Sequence, residues 1–257
     1  MFRLIGFILG WVLSGKFWFG VLGFFLGGFL DSKQWIKVKV SRSGISRDEF
    51  IKTLLIFTSA VVKSDNGKML RSELDFVRNY LLRILGTEKT QEALLVLRDV
   101  LDKDFDIASV AQQFKQHASI HEKLTMLQFL FGLAAIDGEV APAEMEIIRF
   151  ISKEMGISDH DFESLKAMFF GWQSNYNREY SSNKYHPSSN IENDYLILEI
   201  DPSASDEEVK KAYRKQAMKH HPDKLNHLGD DIRKAAEERF AKLNDSYERI
   251  KKTRGIN

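Results

Sequence analysis

The sequence predicts an all-α protein with a single N-terminal transmembrane helix, a middle helical bundle and a C-terminal helical hairpin. Apolar residues recur at intervals of three to four along most of the chain, as in amphipathic helices. The chain has only four prolines, and it opens on one long apolar run. We therefore divide it into an anchor (1–31), a helical domain (45–172), a flexible linker (173–192) and a C-terminal domain (193–257).

The overall composition excludes several classes of function. The 37 basic and 36 acidic residues nearly cancel, so no global charge indicates a nucleic-acid partner, and we expect none. The chain has no cysteine, which excludes disulfides, thiolate zinc sites and cysteine nucleophiles. This composition fits a reducing compartment.

The apolar run from Leu4 to Leu30 predicts one transmembrane helix, because about 20 apolar residues suffice to cross a bilayer. A cleavable signal peptide is an alternative, but the run is too long and no small-x-small cleavage site follows it. A buried core helix is a second alternative, although the many Phe, Trp and Gly residues fit lipid better. Five basic residues follow the run, whereas only Arg3 precedes it, so the N-terminus is expected outside and the remainder in the cytoplasm.

Glycines share one face of this predicted helix: Gly6, Gly10, Gly20, Gly23 and Gly27. Two pairs among them have the GxxxG spacing that lets helix backbones approach closely, which predicts a homodimer through the transmembrane helix. Lys16 lies on the same side and would be sheltered there. The alternative is that glycine is simply common in such helices and that Lys16 extends to the membrane surface. A segment kinked or re-entrant at Gly15 and Lys16 is a further alternative.

An internal repeat organises the middle domain. One helix ends at Gly67 and the next begins near Glu73. The same arrangement occurs again later in the chain, without gaps in the alignment, at Gly138 and Glu144. Two helix–turn–helix hairpins packed against each other would form one bundle. Ser158 followed by Asp161 resembles a capping box that opens a further helix.

This repeat resembles the TerB-like helical domain, in which such acidic turns can bind metal. The resemblance suggests four oxygen ligands for a hard cation such as Ca²⁺: Asp65, Glu73, Asp137 and Glu144. Because Asp and Gly also serve turns, and Glu near a helix N-terminus complements the helix dipole, we interpret them as turn and capping residues and predict no cofactor. A metal-responsive envelope sensor or scaffold acting through this domain is the alternative function.

The C-terminal domain begins after a polar stretch, 173–192, that has no apolar period and is predicted to be a flexible linker. Ser205 and Glu208 form a capping box that opens a helix running to His220. Pro222 cannot continue that helix, so His221, Pro222 and Asp223 are predicted to form an exposed tip between two helices. Basic residues dominate one surface of the first helix: Lys210, Lys211, Arg214, Lys215 and Lys219.

The sequence around this tip resembles the J domain of the DnaJ family from Asn193 to about Lys252. The resemblance implies that the tip and the basic residues bind a DnaK-type chaperone and stimulate its ATPase. Two positions depart from the family pattern: Glu199 stands where Gly is usual, and Gln216 stands where Leu is usual. We interpret both as loosening the core slightly without loss of activity.

The whole chain is similar to the bacterial family of membrane-anchored DnaJ-like co-chaperones. That resemblance implies a location in the inner membrane, with the bulk of the chain in the cytoplasm. His221 and Asp223 lack a nucleophile and a pocket, so we expect no enzyme.

Overall fold

The computed structural model describes residues 45–65, 67–138, 140–179 and 188–256, and the side chains of 171–190 are outside this description. All regular elements in these ranges are helices, which confirms the all-α prediction for the described part of the chain. They are α1 (Arg47–Ser64), α2 (Arg71–Leu101), α3 (Ile107–His117), α4 (Ile120–Ala134), α5 (Pro142–Glu154), α6 (Asp159–Glu179), α7 (Ser188–Ile197), α8 (Asp206–Lys219), the 3₁₀ helix η1 (Pro222–Leu228) and α9 (Asp230–Arg254).

Helix α4 is the centre of the middle domain. It is apolar on nearly every side, so it can only be stable when other helices cover it. A capping box opens it, since the Ser119 hydroxyl accepts from the backbone N–H of Glu122. Helices α1, α2, α5 and α6 pack around it, and the ring of Phe131 meets Phe162 edge to face at 5.3 Å.

The predicted repeat appears as two packed hairpins, α1 with α2 and α4 with α5. Gly67 and Gly138 lie in the turns with φ of 73° and 95°, a conformation that favours glycine. Helix α2 is interrupted at Gly86, whose φ of 74° and ψ of 178° are not helical.

The C-terminal domain is built from α7, α8, η1 and α9. Helix α9 packs on α7, α8 and η1. The rings of Tyr213 and Tyr247 stack with centroids 4.0 Å apart, and the Tyr213 hydroxyl donates to Asn244 at 2.9 Å. The capping box predicted at Ser205 and Glu208 is present. These contacts hold the two long helices together on either side of the tip.

The predicted linker needs correction. Helix α6 continues to Glu179 and α7 already begins at Ser188, so the prediction that 173–192 has no structure was wrong for 173–179 and 188–192. Residues 180–187 lie outside the described part. Helix formation is cooperative, and a helix that is nucleated by its cap and its packed first turns extends into polar sequence at little cost.

The middle and C-terminal domains are also in contact. The prediction of a flexible linker implied instead that the C-terminal domain moves independently. Helix α7 packs on α6, α9 packs on α2, α4 and α6, and η1 packs on α4. We call this contact between the middle and C-terminal domains the seam. The seam brings residues of both domains to within hydrogen-bond distance of each other.

Candidate functional site

The tip, formed by His221, Pro222 and Asp223, is shaped by the end of α8. That helix ends at Lys219, and Pro222 opens η1. The Asp223 backbone N–H donates to Nδ1 of His221 at 3.3 Å, and the Asp223 carboxylate lies 3.7 Å from the same nitrogen. The imidazole and the carboxylate are therefore held side by side, as the sequence predicts.

Both side chains of the tip are open to a partner. The Asp223 side chain is 71% exposed and the His221 side chain is 45% exposed. The His221 and Phe240 rings pack edge to face with their centroids 5.8 Å apart, so Phe240 of α9 supports the imidazole on one side. An exposed carboxylate beside an oriented imidazole can accept hydrogen bonds from a cationic group such as a guanidinium.

The basic residues of α8 separate into two groups. Lys211, Arg214 and Lys215 are exposed, and Lys210 is half-buried. We call these four residues the basic face. Nζ of Lys215 lies 3.7 Å from the Glu199 carboxylate, but its side chain remains 68% exposed.

Lys219, the fifth predicted basic residue, lies in the seam. Its ammonium contacts the Asp161 carboxylate of α6 and lies 3.1 Å from Oε1 of Glu199. Burial lowers the pKa of Lys219 to about 8. The structure therefore directs this cation towards the middle domain rather than towards solvent.

The seam contains polar contacts that sequence reasoning missed. Arg239 of α9 is buried, and its guanidinium donates to Thr125 Oγ1 at 3.1 Å and to the amide oxygen of Gln128, both on α4. Nε2 of His227 lies 2.7 Å from the buried Glu122 carboxylate. Arg239 stands between Ala236 and Leu243 on the core stripe of α9, and a cation at that position is the sequence signal that could have indicated a partner domain.

The four acidic residues of the repeat meet as the sequence suggests. Asp65, Glu73, Asp137 and Glu144 line one cavity of about 180 Å³. The backbone N–H of Leu70 donates to Glu73 at 2.6 Å, and the backbone N–H of Ala141 donates to Glu144 at 3.0 Å, which are the capping contacts expected at two helix N-termini.

Burial, together with the neighbouring carboxylates, raises the pKa of both Glu73 and Glu144. Across the residues that the structure describes, no group of three or more His, Cys, Asp or Glu side chains is placed to hold a metal ion.

The structure does not describe the residues of the predicted transmembrane helix. The Leu4–Leu30 run and its glycines (Gly6, Gly10, Gly20, Gly23 and Gly27) lie outside the described residues. Within the described ranges, each helix is too short or too polar to cross a bilayer.

Two models of known protein families match parts of the chain. The model of the family described as DnaJ domain matches residues 193–254, and the model described as Tellurite resistance protein TerB matches residues 53–167. The two matches lie inside the ranges 193–257 and 45–172 that the sequence pattern indicates. No solved structure matches the chain significantly.

Relatives from three bacteria carry the name Co-chaperone protein DjlA. The one from Vibrio cholerae is 28% identical, over 82% of this chain and 80% of the relative. The one from Shewanella oneidensis is 29% identical over 68% and 66%, and the one from Coxiella burnetii is 24% identical over 99% and 98%. The chain thus contains a TerB domain followed by a DnaJ domain, and it is homologous to the DjlA proteins.

Proposed function

We propose that the chain is a membrane-anchored J-domain co-chaperone that stimulates the ATPase of a DnaK-type chaperone and catalyses no reaction of its own. The observation that carries this proposal is the exposed tip beside the basic face, within a DnaJ domain. The name Co-chaperone protein DjlA of the relatives supports the same function.

The chemistry of the tip suits this role. The Asp223 carboxylate is available for a charge-assisted pair with an arginine of the chaperone, and His221 is positioned to hydrogen-bond next to it. Pro222 fixes φ and so limits the relative placement of its two neighbours. The exposed cations of the basic face attract an acidic chaperone surface and speed the encounter.

The anchor completes the proposal. The Leu4–Leu30 run crosses the bacterial inner membrane once, with the N-terminus outside, so that stimulation of the chaperone is confined to the cytoplasmic surface. The glycine face of that helix pairs two copies of the chain. The length of the apolar run and the charges that flank it support the crossing, and the GxxxG spacings support the pairing.

The test measures ATP turnover by a DnaK-type chaperone in the presence of the full-length protein. We expect His221→Gln to reduce the stimulation at least tenfold, which corresponds to about 1.4 kcal/mol of lost coupling, because the amide cannot reproduce the oriented imidazole. Asp223→Asn should reduce it similarly because the charge is lost.

His160→Gln is the matched control, since His160 is exposed on α6 and is not part of the tip. Equal stimulation by wild type and His221→Gln would contradict the proposed function. A similar loss in His160→Gln would show that the effect does not come from the tip.

A further inference from the structure

The seam has an unusual chemistry, because one buried histidine, one half-buried histidine and a buried guanidinium lie together where the two domains meet. His220 is the C-terminal cap of α8 and is 2% exposed. His121 lies in the first turn of α4 and is hydrogen-bonded to the backbone of Lys219, so it contacts the chain directly before the tip. Arg239 enters the same region from α9.

Several polar atoms of this group are incompletely satisfied. Nδ1 of His121, Nδ1 of His220 and Nε of Arg239 have no hydrogen-bond partner among the described residues. A buried polar atom without a partner loses its hydrogen bonds to water and gains none in exchange. The closed seam is therefore stable only while other contacts outweigh these losses.

The charges around the two imidazoles are mainly positive. Arg239 and Lys219 face His220, with His121 across from it. Arg239 and Lys224 face His121, and the Glu122 carboxylate on the same helix is the opposing anion.

Other charged contacts close the seam. Asp161 and Glu199 hold the Lys219 ammonium, and His227 lies against Glu122. A proton added to His121 or His220 thus enters a region that already contains the cations Arg239 and Lys219.

We propose that the middle domain holds the J domain in a closed state, and that proton uptake by His121 and His220 opens the seam. In the closed state Asp161 of the middle domain holds the Lys219 ammonium. Opening releases Lys219 from Asp161, so that this cation joins the basic face next to the tip. The consequence for the chaperone rests on the proposed function, but the opening itself does not.

The direction of the pH dependence follows from linkage. Burial, and then the neighbouring cations, lower the pKa of His220 well below 6.5, and burial lowers the pKa of His121 as well. An open seam exposes the imidazoles and binds protons more readily. The closed state is therefore fully favoured above pH 6.5 and is lost as the pH falls below that value, and the lowered pKa of each histidine contributes to that loss.

Opening can be measured without a chaperone. The chain has no cysteine, so Glu146→Cys on α5 and Lys252→Cys on α9, both exposed, accept a fluorescent donor and acceptor in the full-length protein. We expect energy transfer to fall between pH 7.5 and 5.5 while the far-ultraviolet circular dichroism stays constant. Constant energy transfer, or loss of helix over the same pH range, would overturn the proposal.

Variants assign the response to the two histidines. His121→Gln with His220→Phe removes both titrating groups, and the seam should then stay closed at pH 5.5. His121→Gln alone should shift the midpoint of opening to lower pH. Because His121 is half-buried, this variant remains informative if His220→Phe disturbs folding. His117→Gln is the control, because α3 packs on α1 and α5, and it should respond like wild type. Opening of the double variant at the wild-type pH would overturn the assignment.

A final variant links opening to the chaperone. Asp161→Asn removes the charge that holds Lys219 but keeps a side-chain oxygen that can accept a hydrogen bond from the Ser158 hydroxyl. At pH 7.5 it should lower energy transfer and lower the concentration of this protein that half-maximally stimulates the chaperone. An open seam with unchanged stimulation would contradict the idea that the contact between Asp161 and Lys219 limits stimulation of the chaperone. No stimulation in either state would contradict the proposed function and leave the closed state and its opening intact.

Discussion

Gln216 shows how a single side chain can lower the stability of the J domain. It is fully buried on α8, and neither its amide nitrogen nor its amide oxygen has a hydrogen-bond partner among the described residues. Sequence reasoning identified the position as a departure from the usual Leu and expected a loosened core. The buried amide supplies the physical reason, because both polar atoms lose water and gain nothing in exchange.

We expect Gln216→Leu to raise the free energy of unfolding by about 1–3 kcal/mol, and therefore to raise the melting temperature by several degrees. Thermal and chemical unfolding of the full-length protein measure this change. Gln116→Leu, at an exposed position on α3, is the control and should change stability by less than about 0.5 kcal/mol. A destabilised Gln216→Leu variant would mean that the amide has partners in solution.

Glu199 is the second departure, and for this residue the sequence interpretation was incomplete. Its φ is 56°, which places a residue other than glycine in the left-handed region. Its carboxylate contacts both Lys215 and Lys219. The residue thus combines a backbone that favours glycine with an ion pair that glycine cannot make.

Two substitutions separate these effects. Glu199→Gly and Glu199→Ala both remove the carboxylate, but only Ala keeps a Cβ in the left-handed conformation. We expect the Gly variant to be more stable than the Ala variant by about 1 kcal/mol, measured by denaturant unfolding. Equal stabilities would show that the backbone at this position relaxes without cost.

Helices α2 and α5 begin in the same way, with a buried glutamate that accepts from the backbone at the N-terminus. Each contact stabilises its own helix end, but the tertiary structure places the two glutamates in one cavity with Asp65 and Asp137. Because the pKa of each glutamate is raised, ionisation disfavours the folded state. Each glutamate therefore contributes to the stability of the folded state below about pH 4.5, where it is neutral. This contribution is lost as the pH rises through the raised pKa of the folded state.

Glu144→Gln keeps the capping oxygen and removes the charge. We expect its melting temperature at pH 7.5 to exceed that of wild type by about 2–4 °C, and the difference to vanish near pH 4. Glu146→Gln, on the exposed side of α5, should show no such pH dependence. A variant less stable than wild type at pH 7.5 would mean that the carboxylate is needed in its ionised form.

Helix boundaries were predicted well where local chemistry sets them. The serines at 158 and 205 cap α6 and α8, as the sequence indicates, through contacts within a few residues. The extension of α6 into polar sequence was missed because no apolar period indicates it. There the preceding helix, and not the local side chains, decides the conformation.

The contact between the two domains changes how the whole molecule is understood. The sequence separates them by composition and predicts independent movement, whereas α7 and α9 pack on the middle domain. Arg239 reaches Gln128 across 111 positions of sequence, and His227 reaches Glu122 across 105. No periodic pattern could pair these residues, because a pattern reports the face of one helix and not which other helix covers it.

The sequence by itself determined the helical class, the two domains, the capping residues and the tip, since each depends on hydrogen bonds and periodicities between near neighbours. The resemblance to the TerB-like domain also pointed to the four carboxylates that line one cavity. Only the tertiary structure decided that Lys219 faces Asp161, that His220 is buried near Arg239, and that the tip remains exposed while the domains are joined. Those outcomes depend on how complete helices fit together, and side-chain shape and burial set that fit.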